Sequence, residues 1–158
     1  MGDFPKGKFS LIARPEERAT FQNSYEGLKV YVVNCTNKAI MFSTQDSRLY
    51  MKMQAMDKNG EWKDIEYLPS SWCGNSYYTI NLDPEAYWTF IVPAYHGDFK
   101  TRMRIVLNYV DPSDKNEQRY KRKEIAIYSN EFEGSVNPGQ FWRKNSYTTQ
   151  GIMDPYND

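Results

Sequence analysis

Apolar and polar residues alternate with a period of two over most of the chain. In residues 99–110, Phe99, Thr101, Met103, Ile105, Leu107 and Tyr109 fall on one side, while Lys100, Arg102, Arg104 and Asn108 fall on the other. This pattern predicts a half-buried strand. The turn-rich segment 111–116 leads to a second strand over 119–129, where Lys121 and Lys123 precede Ile125 and Ile127. The two predict one long antiparallel hairpin, which needs further strands to pack on. Residues 28–34 supply the best of these, with Leu28, Val30 and Val32 on one side and Tyr31 and Val33 on the other. Both faces are apolar, which predicts a central position.

Further strands are expected over 8–13, 19–22, 39–43, 48–56, 61–67, 77–82 and 86–92, with Pro15 marking an edge region. Asn59-Gly60 tolerates the positive backbone angles of a tight hairpin and joins 48–56 to 61–67. No eleven-residue window carries a helical stripe. The expected fold class is all-β: an antiparallel two-sheet sandwich, immunoglobulin-like, with a closed barrel as the alternative. One domain over 1–158 is expected, with 133–158 as an irregular C-terminal extension that Phe141 and Trp142 pin to the body.

Composition sharpens this picture in two ways. Thirteen Tyr, eight Phe and four Trp in 158 residues suit pleated surfaces, which accept rings well. Twenty basic residues balance twenty acidic ones, so the overall field offers no attraction to nucleic acid. A chain of this length buries roughly 70% of its unfolded surface and needs neither metal nor disulfide to fold. No apolar run reaches the length of a transmembrane helix, so no integral membrane segment is expected. The Met-Gly-Asp-Phe start carries no leader pattern. A native start fits the cytoplasm; a start left after removal of a leader fits the periplasm or the cell exterior.

Several local patterns together resemble immunoglobulin-like β-sandwich modules of bacterial envelope proteins. They are a strand ending in Asn34, the residues Gly60, Glu61 and Trp62 after a turn, and Leu82-Asp-Pro-Glu85 before an aromatic strand. The run from Gly97 to Ile105, with Phe99, Arg104 and Ile105, and the run from Ser129 to Phe132 complete the set. The likeness spans residues 28–132 and implies a fold and a place at the cell envelope, with no reaction attached. The chain lacks the Gly usual after the turn proline, here Pro84, and adds residues 133–158.

Candidate chemistry is sparse. His96 is the only histidine, so a His-rich metal site is impossible and a hydrolytic triad would have only this base. Asp83, Glu85, Asp111 and Asp114 sit in turns, where their backbone preferences account for them. Met51 and Met53 have a spacing open to a thioether site, and the same spacing suits a sheet core. Arg119, Lys121, Arg122 and Lys123 oppose Lys100, Arg102 and Arg104, either as an anion-binding ribbon or as a solvated face paired with carboxylates. Cys35 and Cys73 fall where a bridge across one end of a sandwich is open to them, or where they remain separate thiols.

The aromatic surplus therefore carries the functional expectation. Trp62, Trp72, Tyr77, Tyr78, Tyr87, Trp88, Tyr95, Trp142 and Tyr147 exceed what one small core absorbs. A non-catalytic recognition module is expected, binding a protein partner through Trp72, Tyr77, Tyr78, Tyr95 and Trp142. The alternative is a carbohydrate-binding module that uses exposed rings, and a third reading is a small enzyme built on His96. No catalytic residue, metal ligand or cofactor is assigned.

Overall fold

The computed structural model describes residues 3–67, 71–118 and 121–142. They form an all-β fold of antiparallel sheets, with no α-helix among them. The strands are β1 (Phe9–Phe21), β2 (Tyr25–Asn34), β3 (Ile40–Gln45), β4 (Arg48–Leu49), β5 (Met51–Met56) and β6 (Trp62–Asp64). They continue with β7 (Tyr77–Leu82), β8 (Ala86–Pro93), β9 (Phe99–Val110), β10 (Glu124–Tyr128) and β11 (Phe132–Val136). One sheet has the order β1-β2-β8, a second β10-β9-β5-β6 with β11 also on β9, and a third β4-β3-β7.

The expected central strand is central. β2 lies between β1 and β8, with Leu28, Val30 and Val32 buried in the core. On its other face Val33 is fully buried beside Tyr31 and Tyr87, and the Phe4 ring packs on both tyrosines at 5.5 and 5.2 Å. β1 is an edge strand, as Pro15 predicts, but it is one strand and not two. Its pairing with β2 shifts register between Arg14 and Arg18, so a bulge absorbs the residue that cannot donate to the ladder.

The long hairpin forms with Ile125 opposite Tyr109 and Ile127 opposite Leu107. Its second arm is shorter than the alternation predicts, because Lys121 and Lys123 precede the strand. The remainder of β9 pairs with β11, where Phe132 opposes Met103 and Val136 opposes Phe99. Thus the expected irregular extension begins with an integral strand, and Val136 is fully buried. The reason is the unpaired edge of β9, whose backbone groups need partners once Met103, Ile105 and Leu107 are buried. Residues 143–158 of the expected extension lie outside the described residues.

From Tyr128 opposite Val106 to Phe132 opposite Met103, one strand advances four residues and the other three. β10 and β11 are therefore one strand broken by a bulge. Ser129 repairs the ladder there: its N–H donates to the Ile105 carbonyl and its hydroxyl accepts from the Ile105 N–H, both at 2.9 Å. The bulge turns Asn130 toward β1, where its amide donates to the Ala13 carbonyl at 3.0 Å and accepts from the Ala13 N–H at 2.9 Å. Gly97 fits against the end of β11 only because it lacks a side chain, since a Cβ would lie 2.1 Å from the Val136 carbonyl carbon.

The Asn59-Gly60 hairpin forms as expected, with Gly60 at φ 81° and Met56 opposite Trp62. The 48–56 segment divides at Tyr50. β4 joins the third sheet and β5 the second, so this stretch crosses between layers.

Two buried polar side chains hold this arrangement. Asn34, fully buried, donates to the carbonyls of Lys38, Leu82 and Asp83 and accepts from the Thr36 N–H and hydroxyl. Glu66 accepts from the Met53 N–H at 2.6 Å and from the Tyr95 hydroxyl at 2.5 Å. Burial pushes its carboxyl up to about 7 against the lowering effect of those two bonds.

Replacing Asn34 by Ala removes the side-chain donor to the Leu82 and Asp83 carbonyls and the acceptor for Thr36, and is expected to cost about 3 kcal/mol, read as a lower urea midpoint with an unchanged slope. Glu66 gives a pH signature. Its folded-state pKa lies above the unfolded value of 4.5, so its contribution is fully present below that value and is lost as pH rises through about 7. The wild-type chain is expected to lose roughly 3 kcal/mol more than Glu66→Gln between about pH 4 and about pH 8 in urea titrations. Parallel curves for the two proteins would show that Glu66 does not titrate in this way.

Candidate binding site

A cleft of about 610 Å³ opens beside the third sheet, lined by Ser43, Thr44, Tyr50, Tyr77, Tyr78, Thr79 and Glu124. Local chain geometry assembles it from four places. Asp46 and Ser47 both have positive φ, 50° and 65°, and form a two-residue turn between the paired Gln45 and Arg48. This is the hairpin turn whose twist matches the strands it joins. The break after β4 sets Tyr50 between two sheets, and the Tyr50 carbonyl accepts from the Asn108 N–H at 3.0 Å. A short 3-10 turn at Gly74–Ser76 delivers Tyr77 and Tyr78 to the start of β7. Glu124 opens β10 on the edge of the second sheet.

The two tyrosines of β7 are about half exposed, at 44% and 43%, yet their hydroxyls are anchored. The Tyr77 hydroxyl donates to the Ser71 carbonyl and the Tyr78 hydroxyl to Ser47 Oγ, each at 2.9 Å. The Thr44 hydroxyl in turn donates to the Tyr78 carbonyl at 2.9 Å. Rings fixed at both ends lose little freedom when a ligand covers them. Burial, followed by the nearby Tyr77, Glu124 and Asp46, holds the Tyr50 phenol above the usual tyrosine range. It therefore stays a neutral donor and acceptor over the physiological range.

The structure treats the other expected recognition residues differently. Trp72 is fully exposed, on the loop that precedes the 3-10 turn, and lies outside the cleft lining. Trp142 is 78% exposed, after the Pro138–Phe141 turn. Tyr95 is corrected: it is buried in the core, where its hydroxyl serves Glu66, and it offers no ring to a ligand. Tyr147 lies outside the described residues.

Of the two alternatives for Cys35 and Cys73, the structure has the separate thiols. Both thiols are free, Cys35 buried and Cys73 exposed on the Trp72 loop. Met53 and Met103 are core residues, in keeping with their face of the sheet. The basic ribbon is divided among partners. Arg102 pairs with Glu131 at 2.8 Å, and Arg104 lies between the Trp62 and Tyr128 rings at 4.2 and 4.0 Å while its Nε donates to Gln54. Arg119 lies outside the described residues.

His96 is exposed and its Nε2 stands 2.8 Å from the equally exposed Glu26 carboxylate. No nucleophile accompanies this pair in the described contacts, and no group of three or more His, Cys, Asp or Glu positioned to hold a metal ion occurs among the described residues. Nor does any helix among them have the length and apolar character to cross a membrane.

Tyr50 and Glu124 were not legible as site residues. Tyr50 sits in an alternating run that reads as a single strand, and Glu124 follows a basic stretch with no motif around it. Only the layer change at Tyr50 brings the two together with β7. Comparison with known proteins adds no relative: no family model matches the chain, and no curated protein or solved structure is significantly similar to it.

Proposed function

We propose that this protein is a non-catalytic carbohydrate-binding module whose site is the cleft of Tyr50, Tyr77 and Tyr78. The observation that carries this reading is the combination of anchored, half-exposed rings with hydroxyls from Ser43 and Thr79 and one carboxylate, Glu124, in an open cleft. A sugar presents an apolar face of C–H bonds and a rim of hydroxyls. Rings suit the first and short polar side chains the second. An immunoglobulin-like sandwich is the proposed scaffold, and strand order supports it. With β3, β4 and β7 set aside and β10 and β11 counted as the one strand they form, the first, second and fifth remaining strands share one sheet, and the third, fourth, sixth and seventh share the other. A place at the cell envelope is part of the same proposal, carried over from the sequence resemblance.

A protein partner is the second reading, favoured by the full exposure of Trp72. Rings of this kind anchor protein interfaces when a partner buries them. The two readings part on which ring matters. Affinity electrophoresis through gels cast with a panel of soluble polysaccharides is expected to retard the wild-type protein. Tyr77→Ala is expected to weaken binding about tenfold, with its folded spectrum retained. Trp72→Ala is expected to leave retardation intact. Migration unaffected by every polysaccharide, together with a partner captured by wild type and lost in Trp72→Ala, would replace the first reading with the second.

A further inference from the structure

The cleft is lined by an acid. Among the described residues Glu124 is the only charged one that lines it, and it takes part in none of their ion pairs. Neither Arg122 nor Lys123, its neighbours in sequence, forms an ion pair with it. Lys123 precedes the strand and its charge acts on Asp111 and Asp114, and the Arg122 guanidinium donates to the Asn116 carbonyl at 2.8 Å and contacts Met41 Sδ at 3.6 Å. Asp46 adds a second negative charge near Tyr50. The tyrosine faces have the same preference, because the electron-rich face of an aromatic ring attracts a cation. This molecule already uses that attraction where Arg104 lies between Trp62 and Tyr128.

We propose that the cleft selects an amino sugar, an unacetylated hexosamine whose ammonium is held between the Glu124 carboxylate and the faces of the tyrosines. The proposal rests on the reading of the cleft as a sugar site and names the class of sugar. Uronic acids and sulfated sugars are disfavoured by the same carboxylate, and an N-acetylated hexosamine keeps the stacking but forfeits the charge.

Titration calorimetry with glucosamine oligomers and N-acetylglucosamine oligomers of equal length, in mildly acidic solution that keeps the amine protonated, tests this. The glucosamine oligomer is expected to bind roughly threefold to tenfold more tightly, a margin that shrinks with added salt. In Glu124→Gln that margin should disappear while the affinity for the acetylated oligomer holds. Equal affinities in the wild-type protein, or a margin that survives in Glu124→Gln, would overturn the inference and leave the sugar site standing. Binding of neither oligomer, nor of any polysaccharide in the gel panel, would overturn the sugar site as well.

Discussion

The fold depends on satisfying both edges of β9. Its inward residues Met103, Ile105 and Leu107 are almost fully buried, so its backbone groups have no recourse to water. β5 pairs with one edge, and the other is shared by β10 and β11 with an extra residue between them. The hydroxyl of Ser129 takes the place of a missing backbone carbonyl opposite Ile105. Because the ladder is repaired within a single residue, the strand continues to Val136 and Asn130 is free to reach the first sheet. The contact between two sheets thus follows from a local repair in one of them.

The cleft arises from a similar economy. A strand that changes sheet at Tyr50 leaves a ring between layers, and the Asp46-Ser47 turn brings Ser47 to the Tyr78 hydroxyl. Neither feature is specific to recognition. Together they fix aromatic faces at the rim, so shape is present before any ligand arrives. The polar groups nearby come from β3 and β7, whose register sets Ser43 opposite Thr79 and Thr44 opposite Tyr78.

Much of the fold was legible because alternation reports the burial of one sheet face. β7 spans the expected residues, β8 runs only one residue beyond them, and the Asn59-Gly60 turn joins the strands that it should. β11 was not legible, since Phe132-Glu-Gly-Ser-Val136 carries only two apolar residues and owes its strand form to the open edge of β9. The unity of β1 was hidden by Pro15, which a bulge accommodates. Tyr95 was misassigned because its partner, Glu66, lies 29 residues away in sequence and nothing local marks the pair. Of the cleft, the rings of Tyr77 and Tyr78 could be read as exposed aromatic surplus. Tyr50 and Glu124 could not, because their meeting is a property of how the layers stack.

The outer edge of β1 has a further consequence, for behaviour in a crowded solution. Its charged half, with Arg14, Glu16, Glu17 and Arg18 around Pro15, discourages any foreign strand. Its other half, Phe9 to Ala13, is uncharged and would serve as a template for another chain. The carboxamide of Asn130 occupies the donor and acceptor of Ala13 at the boundary between these halves. One side chain therefore takes a donor and an acceptor of this edge out of reach of another strand.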